Sequence, residues 1–133
     1  MAWEDPVKCV GSLLANADLS AKQFYCVKVT TVNNKVVLCT TAGEVFDGVL
    51  QNKPASGEAA DIMTVGITKV SCDEALTAGD LWGTSADGQA QKIEASATGA
   101  DIRSYFGGRV IEGAAAGELA TVSIGMVTGQ VAA

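Results

Sequence analysis

Fifteen carboxylates, nine Lys and Arg side chains and four cysteines are the reactive groups of this chain, and none of its 133 residues is a histidine. Without imidazole there is no Ser-His or Cys-His nucleophile pair, and the commonest general base near neutral pH is missing. The cysteines stand at positions 9, 26, 39 and 72, with wide gaps and no C-x-x-C, which is not the spacing of a zinc knuckle. Cys26 and Cys39 fall in strand-like runs where cysteine serves as a small apolar filler, so reduced structural thiols are expected. Asp73-Glu74 reads as a solvated turn pair. Gly107-Gly108 precedes Arg109 without the strand and helix context of a phosphate loop, so a strand kink beside Phe106 is its expected job. No catalytic, cofactor-binding or metal-binding residue is expected, and the chain is read as a non-enzyme.

The elements that carry these groups are expected to be strands. Hydrophobic residues make up 48% of the chain but aromatics only 5%, with 15 Gly and 2 Pro. Such a core is built from Val, Ala, Leu and Ile, and short strands with glycine turns suit it. The net charge is −6 with no basic run, so the phosphate-neutralising stripe of a nucleic-acid binder is missing. The first residues lack the basic and apolar regions of a signal peptide, and no stretch approaches the ~18 apolar residues of a membrane span. A cytoplasmically made chain with neither membrane nor nucleic-acid partner is expected.

Along the chain, period-two alternation marks a strand from Phe24 to Val32, Val36 to Thr41 returns as its partner, Val45 to Leu50 is a short apolar run and Ile62 to Val70 is strand-like again. Asn33-Asn34 and Asp87-Gly88 are hairpin turns, and Leu81 to Thr84 pairs with Gln89 to Ile93. Cys72 to Leu76 is read as one helical turn and 94–104 as a loop. Tyr105 to Ile111 and Leu119 to Val127 close the series. Residues 1–22 are apolar without a period, which reads as an extended arm ahead of one β domain over 23–133. Within that domain Phe46, Gly48, Ala55, Gly57 and Glu58 recur 60 positions later as Phe106, Gly108, Ala115, Gly117 and Glu118. Two similar β-turn-β units, around 44–70 and 104–127, are therefore expected to pack on each other. The fold class is all-β, a compact sandwich or partly open barrel.

One run is more specific. Gly48-Val49-Leu50-Gln51-Asn52-Lys53-Pro54-Ala55-Ser56-Gly57-Glu58-Ala59-Ala60 leads into Val65-Gly66-Ile67-Thr68-Lys69-Val70. Ala75-Leu76-Thr77-Ala78-Gly79-Asp80-Leu81 follows, then Asp87-Gly88, Ala114-Ala115-Ala116-Gly117 and Val122-Ser123-Ile124, with Ala17-Asp18-Leu19-Ser20-Ala21 upstream. In order and spacing these pieces resemble the capsid cement, or head-decoration, proteins of tailed bacteriophages. The resemblance spans about 17–124 and leaves the first 16 residues outside. It implies a virion protein on the outer capsid surface that binds the major capsid protein, often as a homotrimer, and stabilises its lattice. On that reading Trp3, Val7, Val10, Leu13 and Leu14 form a capsid-binding arm, while Trp82, Tyr105, Glu58 and Glu118 serve a subunit interface. The alternative is a head-fibre or glycan- or receptor-binding β module, with Trp82-Gly83 as its one candidate sugar platform.

Overall fold

The structure, a computed structural model, describes residues 2–93, 103–125 and 128–131, with side chains at all but 5–12, 103–104 and 128–131 of these. It is all-β, and among the described residues there is no helix. The strands are β1 (Asp5–Ala15), β2 (Cys26–Val29), β3 (Lys35–Leu38), β4 (Gly48–Leu50) and β5 (Ala59–Ser71), followed by β6 (Leu81–Thr84), β7 (Ala90–Lys92), β8 (Arg103–Phe106), β9 (Gly108–Glu112), β10 (Leu119–Ile124) and β11 (Thr128–Val131). Strands β1 to β7 with β9 and β10 make one nine-stranded sheet in the order β1-β3-β2-β4-β5-β10-β9-β6-β7, and β11 with β8 forms a separate ribbon. The turn signals hold locally. Asn34 takes φ +62° in the β2–β3 turn and Gly88 φ +80° in the β6–β7 turn, the left-handed geometry that tight hairpins need.

The sheet closes on itself because β1 pairs with β3 on one edge and with β5 on the other, making a five-stranded barrel of β1, β3, β2, β4 and β5. Its interior holds Ala15, Leu19, Val27, Val36, Leu50, Ala60 and Ile62. The rest of the sheet repeats this plan. Strand β5 runs past Gly66, φ +136°, where the pairing with β1 and that with β10 overlap at Gly66 and Ile67 before β10 alone continues. From there its second half acts as β1 acts in the first barrel. Strands β7, β6, β9 and β10 stand where β3, β2, β4 and β5 stand, and the parallel Ala15–Val36 pairing has its counterpart in a parallel bridge from Cys72 to Ala90.

The correspondence extends to single hydrogen bonds. Ala15 donates its amide to Glu58 O and accepts from Gly57, at 2.9 and 2.8 Å; Cys72 does the same with Glu118 and Gly117, at 3.0 and 2.8 Å. Leu19 N reaches Pro54 O, and Leu76 N reaches Ala114 O, both at 2.9 Å. Gly57 and Gly117 share φ values of +84° and +83°. A Cβ on Gly48 would lie 2.4 Å from Met63 O, and one on Gly108 would lie 2.4 Å from Ser123 O. The Cys72–Leu76 segment is therefore a bridged connection rather than a helical turn, because its amides are engaged by the β9–β10 turn.

The interior of the second barrel follows position by position: Cys72, Leu76, Trp82, Ala90, Val110, Ala120 and Val122. Trp82 stands where Val27 stands. Ala90 for Val36, Val110 for Leu50 and Val122 for Ile62 give back the added volume, as close packing demands. Trp82 is fully buried, packs at a tilt against Phe46 with ring centroids 5.3 Å apart and donates its indole N–H to Ser123 O at 2.9 Å. Cys26, Cys39, Phe46, Val49 and Met63 face outward from the first barrel and are buried by the second. At the matching outward positions of the second barrel stand Leu81, Arg109 and Ser123, half-buried or exposed.

Two further expectations change. Residues 5–15 are a stave of the first barrel, so 1–22 is not an arm standing apart from a domain that starts at 23. Phe46 and Phe106 are not equivalent in burial, since Phe46 is buried in the junction and Phe106 is half-buried at the end of β8. The expected loop over 94–104 lies outside the described residues up to 102, and so do positions 126–127 of the expected last strand.

Glycine substitutions test the correspondence. Gly48→Ala and Gly108→Ala each force a methyl into a facing carbonyl and are expected to destabilise by about 2–4 kcal/mol. Gly57→Ala and Gly117→Ala have open space and strain only a positive φ, so about 1 kcal/mol each is expected. Urea unfolding of the four variants should sort them into these two pairs.

Candidate docking face

Three exposed apolar side chains among the described residues, Trp3, Ile111 and Leu119, lie around Thr121. The outward face of β10 carries Leu119 and Thr121, since Ala120 and Val122 point into the barrel. Thr121 pairs with Glu112 on β9, next to the outward Ile111. Residues 2–4 cross this face as a strap. Trp3 N donates to Thr121 Oγ1 at 2.9 Å, and Thr68 Oγ1 donates to Glu4 Oε2 at 3.3 Å. Ala2, Leu119 and the Gly113-Ala114 turn line a shallow cavity of about 370 Å³ with Lys69, Glu112 and Glu118 at its sides. Trp3, Ile111 and Leu119 remain 42%, 38% and 41% exposed. An apolar patch rimmed by charges is the usual form of a protein–protein contact.

The residues singled out in the sequence meet different fates. Trp3 lies on this face. Leu13 is half-buried against the first barrel's core, and Leu14 is exposed one residue before the barrel closes at Ala15. Val10 pairs with Ile62, and Val7 falls in a register shift between Pro6 and Lys8; their side chains lie outside the described residues. Three such shifts, with Pro6 and Lys8 in the run, blunt β1 as a template for an added strand. Trp82 is core and offers no surface to a subunit or a sugar, because Gly83 and Gly107 let the backbone close over it. Glu118 borders the cavity. Glu58, at the matching turn, bends back to accept from Ala55 N at 2.7 Å and holds its own turn. Ile111, Leu119 and Thr121 went unmarked in the sequence, although the period-two alternation with Val110, Ala120 and Val122 carries the signal.

Tyr105, 39% exposed, belongs to a second region at the junction. Its amide donates to Gly43 O at 3.0 Å, and Gly43 N donates to Thr84 O at 2.9 Å. Glu44 orders this turn. Its Oε2 accepts from Thr40 N and Thr41 N, both at 2.7 Å, and its Oε1 accepts from Lys28 Nζ. Burial works against the charge, but the Lys28 ammonium and the two amides outweigh it and hold the carboxyl below its ordinary range. Among the described residues no group of three His, Cys, Asp or Glu side chains is placed to hold a metal ion.

No family model matches the chain, and no curated protein matches it. Among solved structures, a bacteriophage protein shares this fold. The head fiber gp8.5 N base of bacteriophage phi29 superposes with a TM-score of 0.64 over 88% of this chain and 94% of that one, at 17% identity. At that identity the likeness shows a shared fold.

The Glu44 geometry fixes a pH dependence. A carboxyl whose folded pKa is depressed contributes stability that is present above its unfolded pKa and is lost as pH falls through the folded one. Glu44→Gln should therefore flatten the stability-versus-pH curve between about pH 5 and pH 3, around the ordinary carboxylate range. Denaturation midpoints taken across that window check this, and an unchanged slope would contradict the role given to Glu44.

Proposed function

We propose that the chain is a non-catalytic structural module of a bacteriophage head that docks on the outer surface of the shell and stabilises the major capsid protein lattice. The fold likeness to the phi29 head fiber base, along nearly the whole of both chains, carries this reading. The cement-family motifs from Gly48 to Val70 point the same way. The described thiols support binding over chemistry, because burial raises the pKa of Cys26, Cys39 and Cys72 and holds them protonated. The face around Thr121, with Trp3, Ile111 and Leu119, is the surface assigned to the capsid. Trimers on local threefold axes would present three copies of it, and linked weak contacts add by effective concentration.

A second reading has the same surface seat the base of a head fibre, and the name of the phi29 neighbour favours it. The two differ in what binding does to the shell. A cement raises the temperature at which shells rupture, while a fibre base leaves it unchanged.

Co-sedimentation with shells of the parent phage tests both readings. Wild-type chain should bind to saturation, and Trp3→Ala or Leu119→Arg should weaken binding roughly 10- to 100-fold, as loss of an interface anchor does. Val32→Arg, exposed on the β2–β3 turn, should bind as wild type. Lack of wild-type binding would remove the head role, and equal binding by all variants would remove this face from it.

A further inference from the structure

The junction between the barrels holds a pair of thiols that the fold uses only as apolar filler and the docking face does not touch. Val27 faces Leu38 across β2 and β3, so Cys26 and Cys39 are the next facing pair, and Cys39 N donates to Cys26 O at 3.1 Å. Val27 and Leu38 pack with the first barrel's interior, whereas Cys26 and Cys39 share the opposite face, buried under the second barrel. Thr84 lies beside both thiols and eases the rise in their pKa. Facing residues of this kind in antiparallel strands hold their Cα atoms about 5.5 Å apart, inside the window a disulfide spans. Cys72 has different company: its sulfur donates to Val70 O at 3.9 Å, inside the second barrel.

We propose that Cys26 and Cys39 are a disulfide-forming pair, a cross-strand lock of the β2–β3 hairpin that closes when the reduced protein meets a small-molecule disulfide such as oxidised glutathione. One cysteine, as thiolate, attacks a glutathione sulfur and releases one glutathione thiol. The second cysteine then attacks the protein-bound sulfur, forming the Cys26–Cys39 bond and releasing the second glutathione. The two cysteines lose two protons and two electrons, and the glutathione disulfide takes both and leaves as two thiols. Burial sets the pace. It pushes Cys26 well above its ordinary pKa, helped by the neighbouring Cys39, and pushes Cys39 up to about 12. Exchange therefore waits on local opening of the junction, and the same seal protects the bond once made. The inference rests on the junction alone and stands apart from the docking role.

Tryptic mapping reads it directly, because each cysteine falls in its own peptide. The reduced chain is held with oxidised glutathione in sub-denaturing urea, its remaining thiols are alkylated, and it is digested without reduction. The expected product joins Gln23–Lys28 to Val36–Lys69 and is two hydrogens lighter than the two peptides together. The oxidised protein should melt roughly 10 °C higher and return to the original midpoint on reduction. Cys39→Ala, which keeps an apolar side chain at the site, should abolish the link. Full alkylation of Cys26 and Cys39, stable glutathione adducts on either, or pairing of either with Cys9 or Cys72 would each overturn the proposal in the wild-type chain, without reliance on any variant.

Discussion

The whole molecule depends on β5 being one strand in two barrels. Its first half closes the first barrel against β1 and β4, and its second half opens the next against β10. A strand that loses its place in one barrel withdraws a stave from the other. Residues on both of its faces are buried in consequence: Ile62 lies in the first barrel and Met63, one residue on, lies in the junction. Strand β4 is buried along its full length for the same reason. A chain poor in aromatics gains two small cores and a third apolar layer between them, which gives a domain of this length enough apolar contact to be stable.

The sequence showed this plan only where backbone geometry restricts the residue type. Gly48 and Gly108 press against a facing carbonyl, and Gly57 and Gly117 need a positive φ, so the letters survive at a constant offset. Elsewhere the counterparts keep volume rather than identity. Val27 answers to Trp82 and Val36 to Ala90, and loops of unequal length shift the offset, so letter matching loses the repeat. Phe24 illustrates the cost of reading letters alone. It holds φ +67° where its counterpart Gly79 holds +96°, kept there by packing on the junction and by the Lys69 ammonium 5.6 Å from its ring. Strand β1 looked aperiodic because three register shifts break its alternation.

The candidate face was legible in part. Trp3 stood out as a large aromatic near the start of the chain, and it does lie on the surface. Its partners on β9 and β10 sit on short strands whose alternation covers only a few residues. Trp82 misled because a tryptophan between Leu81 and Gly83 is compatible with either an interface or a core. Two glycines decide for the core: Gly107 leaves room for the indole itself, and Gly83 lets the Tyr105 backbone close in beside it. The surface left to solvent is mildly acidic, with apolar contacts around Thr121 and ordered turns at Glu44 and Glu58. Such a surface suits binding at fixed geometry, since Ile111 and Leu119 sit on strands held from both sides.

Hydrogen exchange along β5 in the native protein tests the shared strand most directly. The account predicts that amides in both halves of β5, from Ala59 to Ser71, exchange only through global unfolding, with one common free energy equal to that from denaturant titration. If the half paired with β1 and the half paired with β10 exchanged with distinct free energies, the barrels would be opening independently, and the strand would not be the element that unites them.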